Sequence, residues 1–138
     1  MDTEEIAALQ KLFDKSLQHI RKQGKPSYST EERLCRYNQD GLGCGAAPFI
    51  LKYEKSMEGK RWIDLVPHED YKVLLDPLAV EYSGFVSQLQ NAHDGAAVNY
   101  LSGEVTFGTP TYLELFMDKY ETEMKDLAQR YGLEYTKA

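Results

Sequence analysis

A chain of 138 residues, 42% apolar and 28% charged, is long enough to bury one core without disulfides or a structural metal. A net charge of -6 argues against a general nucleic-acid binder, and no apolar run approaches the ~20 residues of a membrane span. Two cysteines and an acidic start without a secretory pattern lead to the expectation of one cytoplasmic domain over residues 1–138 with free thiols.

Residues 3–23 read as an amphipathic helix, since Ile6, Leu9, Phe13, Leu17 and Ile20 recur at steps of three and four. Asp2 or Thr3 suits its N-cap, Gly24 its C-terminal turn, and Pro26 stops continuation. Residues 34–46 read as a hairpin around Asp40-Gly41, in a type I′ turn or a type I turn with a glycine bulge. A four-residue loop would place Cys35 opposite Cys44; a three-residue loop would put them on different faces. Pro48 fits the first turn of a short helix, and residues 61–66 are a strand candidate ended by Pro67. Residues 78–94 read as a helix with Tyr82, Phe85, Val86, Leu89 and His93 on one stripe and Gly95 as its stop. Residues 103–108 suggest a short strand or loop. Residues 110–131 form the clearest helix, opened at Thr109-Pro110, with a capping box from Thr111 to Glu114 and a Schellman ending at Gly132-Leu133. The fold class expected is α+β, with three main amphipathic helices packed around a small β-hairpin or short antiparallel sheet. The carboxylates of the last helix (Glu114, Asp118, Glu121, Glu123, Asp126) are interrupted by Lys119, Lys125 and Arg130, as on a solvated face.

Three site chemistries compete for the stretch "CRYNQDGLGCGAAPFI", residues 35–50. Cys35, Cys44 and His93 are candidates for a thiolate activated by an imidazole. Asp94 is a poor partner for His93, because adjacent helical residues point ~100° apart. The same cysteines and His93, with Asp94 or His68, could make four metal ligands, but Cys-x8-Cys lacks the paired spacing of a zinc site, so neither metal nor cofactor is expected. An anion cradle is the third: Gly41, Gly43 and Gly45 would expose backbone N–H groups near Arg33, Arg36, Tyr37 and Asp40. The plainer reading is a tight turn whose glycines serve positive φ, with inward thiols and a core histidine against the first helix.

Further residues carry a resemblance. Cys35-x-Tyr37, then Asp40-Gly41-Leu42-x-Cys44, then Glu58-Gly59, then Leu89-Gln90-x-x-His93-Asp94, is similar to a group of uncharacterised small proteins of tailed phages and prophages. This chain departs from that pattern at Gly45-Ala46-Ala47-Pro48. The resemblance implies phage or prophage origin and an accessory role, and it brings no reaction with it. The resulting expectation is a binding protein in the host cytoplasm. It would act against a host defence, by blocking a host protein or by sequestering a small anionic, nucleotide-like signal, and a homo-oligomer is compatible with this role. The rival classes are a Cys/His-dependent enzyme and a structural virion component.

Overall fold

A computed structural model describes residues 1–99, 101 and 105–137. The chain is mostly helical with one small antiparallel sheet: α1 (Thr3–Gln23), β1 (Tyr28–Ser29), β2 (Leu34–Cys35), α2 (Trp62–Leu65), α3 (Glu69–Lys72), α4 (Pro77–Glu81), α5 (Ser83–Val98) and α6 (Pro110–Tyr131). Two 3₁₀ turns, Ala47–Phe49 and Lys55–Met57, lie between β2 and α2. The α+β class is as expected.

The long helices end where their sequences direct. The Asp2 carboxylate accepts from the Glu5 N–H at 2.8 Å, satisfying an unpaired donor of α1, and Gly24 closes it at φ 71°. The N-cap of α6 is Thr109, whose hydroxyl accepts from the Tyr112 N–H, so the cap lies two residues before the expected Thr111 box. Gly132, at φ 67°, and the Leu133 N–H bond to the Ala128 carbonyl complete the Schellman ending.

Three local expectations need correction. The 61–66 segment holds a helical turn rather than a strand: Trp62–Leu65 forms α2, and the Trp62 N–H donates to the Gln90 side chain on α5. A short apolar run has no period that distinguishes strand from helix, and here a tertiary bond decides. The 78–94 helix breaks at Tyr82 (φ -106°, ψ 44°) and then runs past Gly95 to Val98, because Gly95 keeps its helical bond to the Asn99 N–H. The sheet pairs β1 with β2, Tyr28 opposite Cys35 and Ser29 opposite Leu34, so residues 34–46 do not fold back on each other as two strands. The expected Asp-Gly turn is present within them as a single bridge between Gln39 and Leu42, with Asp40 at φ 53° and Gly41 at φ 88°. Positive φ at both central positions is the type I′ signature. The 103–108 segment lies partly outside the described residues; 107 and 108 form a turn.

The core runs along α1, α5 and α6, which pack on one another, with α2 against α5. Phe13, Ile20, Phe49, Trp62, Val86, Phe116 and Tyr120 are fully buried in it. The chain just before the sheet is bonded to α5, the Ser27 N–H donating to the His93 ring. The tail after α6 is clipped to α1: Gln10 donates to the Glu134 carbonyl and accepts from its N–H, at 3.0 and 2.8 Å. Arg21 forks onto Glu121 at 2.7 Å through both nitrogens and reaches the Thr136 carbonyl at 2.8 Å. Among the described residues no helix is long and apolar enough to cross a membrane.

Candidate functional site

Several of the residues singled out in the sequence, among them Cys35, Tyr37, Cys44, His93 and Asp94, lie along one seam, where the segment from Ser27 to Gly45 meets α5. His93 is fully buried in the core, its ring edge-on to Phe116 of α6 at 5.7 Å. The Ser27 N–H donates to His93 Nε2 at 3.0 Å. A backbone N–H can only donate, so Nε2 holds the lone pair and Nδ1 carries the hydrogen. Nδ1 then donates to Asp94 Oδ1 at 2.8 Å. Asp94 therefore does orient His93, against the expectation from helical spacing. The ~100° step separates the Cβ directions, and the aspartate side chain curls back across it.

Cys35, His93 and Asp94 bring one sulfur, one nitrogen and one oxygen within 4.8 Å of one another. The order of bonds decides what this group can do. The imidazole is bonded at Nε2 by Ser27 and at Nδ1 by Asp94, so neither ring nitrogen has a free lone pair to offer the nearby Cys35 thiol. Burial, and then the Asp94 charge, push the Cys35 thiol well above its usual range. A nucleophilic cysteine needs the opposite shift, from a nearby cation or a base with a free lone pair. The same tautomer argues against a metal: Nδ1, the nitrogen that faces Asp94 and Cys35, has no lone pair to give while the Ser27 bond holds. Cys44 is fully enclosed, with Gln90 Nε2 at 3.8 Å from its sulfur, and burial pushes its thiol up to about 12. His68 is elsewhere, exposed, capping α3 through an Nδ1 that accepts from the Asp70 N–H.

The thiols give a test. Iodoacetamide at pH 8 is expected to label neither cysteine at an appreciable rate until the chain is unfolded; rapid native labelling of Cys35 would contradict this geometry. The raised values also fix the alkaline limb of stability. Below about pH 8.5 a thiol is protonated in both states. Above it the unfolded chain ionises first, so stability falls as pH rises toward the folded value of about 12 for Cys44. Urea midpoints at pH 7 and pH 10 measure that fall.

The glycine amides form no open cradle; a carboxylate is held instead just upstream, by residues before the turn, and it is the protein's own. The Tyr37 and Asn38 N–H groups donate to the two oxygens of Glu58, at 2.8 and 3.0 Å, and the Tyr53 hydroxyl donates to the second oxygen at 2.7 Å. Arg36 Nε lies 3.5 Å from the same carboxylate, while its Nη1 pairs with Glu32 at 3.0 Å. Arg33 is exposed and holds φ 58° in the β1–β2 turn. The glycine amides are also occupied, Gly41 by Asn38 Oδ1 at 2.9 Å and Gly43 by Gln23 Oε1 at 2.8 Å. Gly45 serves close approach: its carbonyl accepts from the Ser16 hydroxyl at 2.7 Å and its Cα faces the backbone of Leu89. Glu58→Gln is expected to lower stability by about 2 kcal/mol, because an amide accepts from only one of the two N–H groups and turns its own donors toward the other. An unchanged melting curve would count against the cradle.

Gln90 completes the seam. It accepts from the Trp62 N–H at 3.0 Å and donates to the Tyr37 hydroxyl at 3.0 Å, while that hydroxyl donates to the Lys60 carbonyl at 2.7 Å. Beside the seam lies a cleft of about 230 Å³ between α1 and the glycine turn. It is lined in part by Tyr37, Gly41 and Gly43, together with His19 and Tyr53. Asp40 instead lines a neighbouring cleft with Lys25 and Tyr28. Sequence reasoning missed His19, whose Nε2 donates to the Gly43 carbonyl at 3.1 Å and whose pKa burial lowers. Its one sequence signal was its position beside the apolar stripe of α1.

Comparison of the chain with protein-family models, with curated proteins and with solved structures finds no match.

Proposed function

We propose that this chain is a small accessory protein of the phage type that acts by binding a host protein, as an antagonist of host defence, rather than by turnover. The observation that carries the choice of binding over catalysis is that His93, the imidazole beside Cys35, is bonded at both ring nitrogens within the protein. The thiol itself faces a carboxylate. A protein target is preferred over a small anion because the cradle at Tyr37 and Asn38 already holds Glu58.

The experiment is plating efficiency of a phage on cells that carry a defence system, with and without the chain expressed. Restored plating by the wild type and by Cys35→Ser alike is expected. Restoration by the wild type alone, with Cys35→Ser still folded, would return the thiol enzyme. Heat from a nucleotide or cyclic nucleotide in calorimetric titration would move the target from a host protein to a small signal. Finding the chain in purified particles at a fixed copy number would assign it to the virion.

A further inference from the structure

The cleft beside the seam has a chemical character that the seam itself lacks. Several of its polar groups are bonded within the protein: the Gly41 and Gly43 amides by Asn38 and Gln23, the Gly43 carbonyl by His19, and the Tyr53 hydroxyl by Glu58. To a visitor it offers hydrocarbon from Ala47, Pro48 and Ile50 and the ring of Tyr53, beside the polar edges of His19 and Asn38. These walls are tied to α1, to the type I′ turn and to the Glu58 cradle, so the hollow is formed before anything enters. Its 230 Å³ is below the roughly 300–1,000 Å³ of clefts that enclose a whole small-molecule ligand, and it suits one inserted side chain.

Charge surrounds it asymmetrically. Lys11, Lys15 and Lys22 are exposed and, at steps of four and seven, share one stripe of α1 with His19 four residues after Lys15. Lys15 stands beside the cleft's 3₁₀ turn, its Nζ 5.7 Å from the ring centre of Phe49, the residue after Pro48. Lys52, two residues beyond Ile50, is exposed as well. In a protein of net charge -6 this lysine stripe stands out, and an apolar hollow beside it is complementary to an apolar side chain carried between carboxylates.

We propose that the cleft between α1 and the glycine turn docks an acidic segment of a partner protein, with one aromatic side chain of that segment inserted against Pro48 and Ile50. This rests on the binding-protein reading and gives the partner's surface its chemistry.

The test is a titration of the ¹⁵N-labelled full chain with the capped peptide Asp-Glu-Phe-Glu-Asp, followed at the amides of Asn38, Gly41 and Gly43. Shifts confined to the cleft are expected. They should require about tenfold more peptide when Phe is replaced by Ala, when the acids are replaced by Lys, or in the Lys15→Glu variant. Lys125→Glu, exposed on α6, should leave the titration unchanged. Absent shifts, equal response to the lysine-flanked peptide, or indifference to Lys15→Glu would overturn the proposal. The two readings fail separately. Plating restored by both wild type and Lys15→Glu, with no peptide shifts, removes the cleft and keeps the antagonist. Cleft shifts with no restored plating remove the antagonist and keep the cleft.

Discussion

Gly45→Ala is expected to lower stability by about 3 kcal/mol or more, read as a fall in the urea midpoint. The added Cβ would stand 2.3 Å from the Leu89 carbonyl oxygen and 2.9 Å from its carbon. Both belong to the backbone of α5, so no side chain can turn aside to make room. The loop cannot retreat cheaply either, because the Ser16 hydroxyl on α1 holds the Gly45 carbonyl from another element at 2.7 Å. Gly95→Ala is the contrast. Gly95 is exposed within α5 and a Cβ there meets nothing within 4 Å, so alanine should gain about 0.5–1 kcal/mol from helix propensity. A similar midpoint for the two variants would mean that the loop and α5 are not in contact at Gly45.

His93→Ala is expected to cost about 3 kcal/mol and to lower Tm by about 10 °C. The loss has two parts. A fully buried ring packed on Phe116 is removed, leaving a cavity. The Ser27 N–H, which lies in the interior, is left without its acceptor. His93→Phe separates these parts: it refills most of the volume and still orphans the N–H, so it should recover about half of the loss. Full recovery would show that the Ser27 bond contributes nothing, and no loss in His93→Ala would place the ring outside the core.

The long helices were legible because each carries its own punctuation: Asp2 and Gly24 for α1, Pro110 and Gly132 for α6, with apolar stripes of period 3.6 between them. The Asp40-Gly41 turn was legible for the same reason, since positive φ at two successive positions demands that residue pair. What failed were assignments settled by partners distant in sequence. The 61–66 segment holds a helical turn where Gln90 receives the Trp62 N–H, and Leu34–Cys35 pairs backward to Tyr28–Ser29 rather than forward to the glycines. At the site, the expected group of Cys35, Cys44 and His93 gives way to Cys35, His93 and Asp94, and the order of bonds at His93 was not legible. That order depends on the Ser27 N–H, 66 positions away from His93, which no local pattern announces. Arg36 and the glycines suggested an anion, and the carboxylate that fills the place belongs to Glu58, 21 residues beyond Tyr37. Tyr37, Cys44, Glu58, Gln90, His93 and Asp94 join the loop to the rest of the molecule through these bonds.

The clip between Gln10 and Glu134 joins positions 124 residues apart, so it closes a ring that contains nearly the whole chain. Ring closure of that length is entropically only modestly worse than for half of it, about 0.6 kcal/mol per doubling, but it rewards the chain only after the intervening elements have been compacted. The α5–α6 pair, adjacent in sequence, can assemble before α1, whose end lies 60 positions ahead of the start of α5, docks on it. The clip then zips last and opens first. In hydrogen exchange the Glu134 amide is expected to lose protection through a local opening, insensitive to denaturant, while amides inside α5 exchange only through global unfolding. If Glu134 and the centre of α5 show the same exchange free energy, the tail is part of the folding unit rather than a latch laid over it.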